Sequence, residues 1–283
     1  MDMFRDKSPD LEDGDYETCE GLLAEEQGQD WTPEEEIDTY GDWATVLLQL
    51  TTLGVFFLLG ILFGFMWQGD LDSQCSEYVS QYSPVMSGVG VTYHLQKFNN
   101  PLLKETVYRQ EASPEVDAAW DALGVNYRRI RVPPEEAARS DLAPDQVKIN
   151  QKYGGGFPAN VEGLQHLQCL NLLRQSLYFN YDYYHSNGEG AFANNDFIAR
   201  HQIAQCVDVL RQQLMCTVDT GVVGQVWIYP ENPEPFVDFN TRQRCKNFDA
   251  IREWAEKNQL PENPPADFLQ PPAPGDHIYK AMP

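Results

Sequence analysis

Residues 43 to 67, WATVLLQLTTLGVFFLLGILFGFMW, run for 25 positions without a charged side chain. As a helix this stretch would reach about 37 Å at about 1.5 Å per residue, enough to cross a hydrocarbon core about 30 Å thick with some tilt. Core helices rarely stay apolar on every face for so long, and tryptophans at both ends suit the two membrane interfaces. The run starts too late and extends too far for a cleaved signal peptide. A single uncleaved transmembrane helix is therefore expected over 43 to 67, and it divides the chain in two.

The part before the span is short and acidic. Residues 1 to 42 hold sixteen Asp or Glu against Arg5 and Lys7, so −14 of the chain's −23 charge sits there. With Leu22, Leu23 and Trp31 among its few large apolar side chains, this segment cannot offset its ordering entropy, and a disordered acidic N-terminal tail is expected. A net charge of −23 also argues against a nucleic-acid partner, because no basic stripe exists to displace phosphate counterions.

Orientation has to come from the cysteines. Asp38 and Asp42 precede the span and Asp70, Asp72 and Glu77 follow it, which leaves the positive-inside rule almost nothing to count. Cys19 lies before the span, whereas Cys75, Cys169, Cys206, Cys216 and Cys245 lie after it, a usage compatible with an oxidising lumen. The expectation is a single-pass protein of the secretory pathway with its C-terminal domain lumenal. Five cysteines leave at least one thiol free or intermolecular. Cys206 and Cys216 would stand about 15 Å apart on one helix, beyond the disulfide limit of about 7 Å.

Residues 68 to 260 read as one compact, mostly helical domain with short strands, so the expected class is mainly α. SPEVDAAWDAL opens on Ser113 and Pro114 ahead of an acidic first turn, a good helix start that places Trp120 and Leu123 on the buried side. YGGGFP at 153 to 158 reads as a turn, GVVGQVWIYP as a short strand, and NFDAIREWAEKN as an amphipathic helix. Residues 261 to 283, rich in proline, are expected to be a tail.

One phrase occurs twice. QHLQCLNLLRQSL at 165 to 177 returns as QIAQCVDVLRQQL at 202 to 214, with seven of thirteen positions identical. The shared frame, Q-x-x-Q-C-x-[ND]-x-L-R-Q-x-L, puts its leading polar members at i, i+3 and i+4, one face of a helix. Two helices are expected to present matching Gln-Gln-Cys faces, a metal-site layout with amides in place of ligands. Other chemistry is poorly supported. The glycines at 154 to 156 lack the Lys-Ser or Lys-Thr of a phosphate loop, and neither G-x-S-x-G nor H-E-x-x-H occurs. Cys169 and His166, neighbours on one helix, make a poor nucleophile and base.

Taken together, SPEVDAAW, YGGGFPANVEGLQHLQCLNLLRQ, DYY at 182 to 184, the run from Cys206 through CVDVLRQQLMCTVDT and DFNTRQRCKNFDAIREW at 238 to 254 resemble the UstYa-type proteins of fungal mycotoxin pathways, including those that make ribosomally synthesised cyclic peptides. The resemblance spans most of residues 43 to 257. In that family the repeated phrase reads H-x-x-H-C, a third element reads H-x-C, and the histidines are thought to bind copper for oxidative cyclisation, hydroxylation or halogenation. Carried over by position, the first motif falls on Gln165, Gln168 and Cys169, the second on Gln202, Gln205 and Cys206, and the third on Gln243 ahead of Cys245. Every implied histidine is a glutamine here.

A carboxamide is a weak donor for copper, so no metal or cofactor is expected to be held, although Gln matches His in reach and still donates and accepts hydrogen bonds. His166 and His201 lie about 100° off the motif face and do not repair it. The candidate catalytic residues are Gln165, Gln168, Cys169, Gln202, Gln205 and Cys206, with the two cysteines read as disulfide or packing residues in preference to redox catalysts. Candidate substrate contacts are Arg174 and Arg211, which could grip a carboxylate, with Tyr183, Tyr184 and Gln243. The expected partners are the membrane, a small-molecule or peptide pathway intermediate, and a sister protein of the same type. Three functions stay open: oxidative tailoring of a secondary metabolite, metal-free cyclisation in an amide-lined pocket, and non-catalytic partnership with a sister oxidase.

Overall fold

The computed structural model describes residues 39 to 66 and 70 to 281. Residues 1 to 38 of the expected acidic tail, and Trp67 at the end of the expected span, lie outside the described residues. The chain divides between Gly64 and Phe65 into two units.

Helix α1, Thr39–Met66, carries the apolar run. It begins at Thr39 rather than Trp43, so the last four residues assigned to the tail are helical. Its segment Trp43–Phe65 is long and apolar enough to cross a membrane, with mean hydropathy 2.3. Two polar side chains in this run bond to their own helix: Thr51 and Thr52 donate their hydroxyls to the carbonyls of Leu47 and Leu48 at 2.9 and 2.6 Å. Such bonds would satisfy the hydroxyls in an apolar medium, which offers no other acceptor.

The second unit is helical with short strands, as its sequence implies. Its helices are α2 Leu71–Val79, α3 Pro84–Val89, α4 Pro114–Asp121, α5 Pro134–Ala137, α6 Glu162–Gln175, α7 Tyr178–Asn187, α8 Asp196–Cys216 and α9 Phe248–Lys257. Its strands are β1 Tyr93–Lys97, β2 Ile130–Val132, β3 Phe157–Ala159, β4 Gln225–Ile228, β5 Glu234–Val237 and β6 Arg242–Lys246. They form three separate antiparallel pairs: β1 with β6, β2 with β3, and β4 with β5. The β1–β6 pair sets Tyr93 opposite Lys246 and Lys97 opposite Arg242, tying the start of the domain to its end.

Local sequence explains most of these elements. Ser113 caps α4 by accepting the Val116 N–H at 3.3 Å, with Pro114 in the first turn and Glu115 and Asp117 near the positive end of the helix dipole. Val116 and Trp120 from α4 pack with Val125 as one core cluster, against which Leu123 and Leu167 rest. The glycine turn has a steric cause at Gly156. Its φ is +91°, and a Cβ there would stand 2.4 Å from the Val132 carbonyl oxygen, so only glycine lets β3 reach β2. A second cluster, Val132, Ala137 and Phe157, closes over that strand pair.

One element has no counterpart in the sequence reading, and another differs from it. The aromatic stretch from Tyr178 is a helix, α7, whose Asn180 and Tyr184 are buried one turn apart. The proline-rich end, expected as a tail from 261, is instead a strap docked on the domain. The Asn150 N–H donates to the Phe268 carbonyl and the Gln270 N–H to the Lys148 carbonyl, both at 2.8 Å, and the Phe268 side chain is buried against Tyr153. Lys152 and Tyr153 both reach the Asp267 carboxylate. Proline fixes an extended backbone at low entropic cost, which suits a strap that lies on a surface without forming its own ladder.

Candidate functional site

Helices α6 and α8 pack against each other and carry the two copies of the repeated phrase. At 3.6 residues per turn, positions 165, 168 and 169 share one face of α6, and 202, 205 and 206 one face of α8. The structure turns these faces together. Cys169 and Cys206 form a disulfide across a Cα–Cα distance of 4.9 Å, so the expected choice between disulfide and redox roles falls on the disulfide. Cys216 stays a thiol at the far end of the unbroken α8, and Cys75 and Cys245 are also unpaired.

A cavity of about 610 Å³ opens beside this bond, lined by Gln165, Gln168, Gln202, Gln205 and both cysteines. Its amides are partly ordered. Asn160 donates to Gln165 Oε1 at 2.9 Å, Gln165 in turn donates to Gln168 Oε1 at 2.6 Å, and Asn194 donates to Gln202 Oε1 at 3.2 Å. Those bonds occupy carbonyl oxygens, leaving the NH₂ groups of Gln168 and Gln202 as donors toward a ligand. Asp117, Asp121 and Glu189 line the same cavity.

One wall rests on a buried ionic cluster. Arg174 is 6 % exposed; its Nη2 donates to Asp117 Oδ1 at 2.9 Å and its Nε to Asn171 Oδ1 at 2.9 Å. The guanidinium also lies over the rings of Trp120 and Tyr184, at 5.4 and 5.1 Å from their centroids. Tyr184 donates its hydroxyl to the same Asp117 oxygen, and burial, then this hydrogen bond, pushes the phenol well above its ordinary pKa, so it remains a donor. Asn180 braces the arrangement, donating to the Arg174 carbonyl at 3.0 Å while accepting the Ala112 N–H at 2.9 Å.

Of the five residues expected to touch substrate, Tyr184 lines the cavity and Arg174, Arg211, Tyr183 and Gln243 do not. Arg174 is committed to Asp117, because a buried guanidinium must be paired. Arg211 is exposed and pairs along its own helix with Asp208 at 2.7 Å. Tyr183 stacks edge-on against Tyr184, and Gln243 sits on β6 opposite Gln96. Sequence reasoning missed Asp117, Asn171 and Asn180. Asp117 lay in the resembling phrase SPEVDAAW, and nothing in its spacing marked it. Gln165 also borders a second hollow of about 960 Å³, which His277 and Tyr279 of the strap help to line.

Copper, which the resemblance implies, does not fit these residues. The face offers four carboxamides and a disulfide where imidazole nitrogens or thiolates are needed. Among the described residues no group of three or more His, Cys, Asp or Glu is placed to hold a metal ion. His201 turns its Nδ1 to the Phe197 carbonyl, and neither it nor His166 lines the cavity.

Comparisons with known proteins find relatives along most of the chain. An UstYa family oxidase of Aspergillus flavus, aprY, is 26 % identical over 236 residues, covering 76 % of this chain and 67 % of its own length. The UstYa family oxidase phomYc of Diaporthe leptostromiformis is 30 % identical over 194 residues, 66 % of this chain and 72 % of its own. A protein named for a different reaction, the transacylase cctO of Talaromyces islandicus, is 23 % identical over 222 residues, 72 % of each. No solved structure matches. The family model described as mycotoxin biosynthesis protein UstYa matches residues 39 to 258, and the chain belongs to the UstYa family.

Proposed function

We propose that this protein tailors an intermediate of a fungal secondary-metabolite pathway by a redox-neutral closure or acyl transfer in the α6–α8 cavity. The observation that carries the reading is the joint placement of Gln165, Gln168, Gln202 and Gln205 around one cavity whose donors suit carbonyl groups and not copper. Amide N–H groups hold the carbonyls of a small polar or peptide-like intermediate, and fixing its two ends removes much of the entropic barrier to closure. An internal nucleophile adds to one of the intermediate's own carbonyl carbons, the bond to the leaving group breaks, and the proton departs with that group. No electron acceptor is consumed. The relative named a transacylase supports redox-neutral chemistry on this scaffold.

The second reading is oxidative tailoring, supported by the relatives named oxidases. In either case α1 anchors the protein in a membrane of the secretory pathway, with residues 70 to 281 on the lumenal side. The Cys169–Cys206 disulfide supports that side, since such bonds persist in oxidising compartments.

The test uses the full chain in neutral detergent, incubated with the linear pathway intermediate either with chelator and without air or with copper and air. Closure that loses only the protonated leaving group, indifferent to copper and oxygen, is expected. A product two hydrogens lighter, formed only with copper and air, replaces this proposal with the oxidative one. Turnover only after adding a sister family member would make the chain a partner in place of an enzyme.

A further inference from the structure

We infer that the α6–α8 cavity takes a ligand carrying a positively charged amine, with Asp121 and Glu189 as its counter-charges and Asp117 as an oriented acceptor. The inference rests on the cavity being the ligand site and adds the class of ligand.

Three carboxylates line the cavity, and no Lys, Arg or His stands among its lining residues. The nearest cation, Arg174, lies buried behind the wall, already engaged by Asp117 Oδ1 and Asn171. It offsets one carboxylate of the three. Asp117 is held in place by two donors on the same oxygen, Arg174 Nη2 and the Tyr184 hydroxyl, which leaves Oδ2 without a protein donor among the described residues. Asp121 takes one amide N–H from Asn126 at 2.6 Å. Glu189 precedes the short 3-10 turn Gly190–Ala193 without capping it, so its carboxylate is also unengaged among the described residues.

The glutamines contribute donors for carbonyls, and the carboxylates contribute acceptors for N–H groups. A neutral polar ligand would satisfy the first set alone. An anionic one would face three carboxylates with no facing cation, a like-charge cost that selects against it. A ligand with carbonyls at one end and an ammonium at the other satisfies both.

The test compares a linear tetrapeptide amide bearing a free N-terminal amine with its N-acetylated twin, titrated against the full chain in neutral detergent by calorimetry. The free amine is expected to bind about tenfold more tightly than the acetylated form, a gap that narrows as salt is raised. Asp121→Asn and Glu189→Gln should each weaken the free amine about threefold and leave the acetylated twin unchanged, as neutralising a partly exposed pair requires. Both positions are exposed, so neither change threatens folding. Equal binding of the twins, tighter binding of the acetylated one, or no binding of the free amine overturns the inference. These results separate from those on reaction type. A neutral substrate closed without oxidation would sink the charge inference alone, while an amine substrate that is bound and oxidised would sink the redox-neutral reading alone.

Discussion

Helices α6 and α8 speak the same thirteen-residue phrase and live in different surroundings. The first, 14 residues long, buries Leu164, Cys169, Asn171 and Arg174; the second, 21 residues long, buries Ala199 alone. Their leading Gln-Gln-Cys thirds meet in one cavity and share a disulfide. Their trailing arginines part company, Arg174 passing beneath the cavity wall to Asp117 on α4 and Arg211 staying on the surface with Asp208. A repeated phrase thus fixes what two helices present to each other, while neighbours outside the phrase decide what the rest of each helix does.

The largest break in this comparison is the bond that holds its two halves together. Cys169 and Cys206 are 37 residues apart, and opening a loop of that size releases enough unfolded-chain entropy to cost about 4 kcal/mol in the chain-entropy picture. Replacing both cysteines with alanine should lower the urea midpoint of the full chain steeply and give α8, with little buried surface of its own, early hydrogen exchange. If α8 amides remain as protected as those of α6, packing alone holds the cavity closed.

The next effect separates the arginines. Arg174→Ala leaves Asp117 without its guanidinium and strips the packing over Trp120 and Tyr184, a loss of about 3 kcal/mol. Arg211→Ala removes an exposed pair and should leave the unfolding midpoint where it was. Equal losses from the two variants would mean that the phrase, and not the environment, sets the role of its arginine.

This difference also marks what could be read from the chain. The Gln and Cys placements follow from a 3.6-residue period, which is local, and the sequence shows them. Arg174 becomes structural because Asp117 arrives from 57 residues upstream, and no local pattern encodes that meeting. The disulfide was open for a similar reason: helix geometry removes Cys206 with Cys216, but selecting Cys169 requires knowing that α6 lies against α8. The strap misled the reading because proline content describes backbone stiffness, not docking. Phe268 and Asp267, which anchor it, look ordinary until Tyr153 and Lys152 are beside them.

The smallest effect sharpens the comparison by pH. Near α6, the folded Tyr184 phenol is raised above its unfolded value of about 10, first by burial and then by its bond to Asp117. A raised folded value means that its contribution is complete below about 10 and is lost as pH climbs toward the folded value. On α8, Arg211 and then Gln212 hold the Asp208 carboxyl below the usual range. A depressed folded value means that its contribution is present above about 3.9 and is lost as pH falls through the folded value. Unfolding midpoints across pH should therefore show Tyr184→Phe flattening the alkaline limb alone and Asp208→Asn flattening the acid limb alone, the latter slightly, because that pair is exposed to solvent. An alkaline limb unchanged in Tyr184→Phe would mean that the phenol ionises freely in the folded protein, and the buried cluster under the cavity would then be wetter and looser than its hydrogen bonds imply.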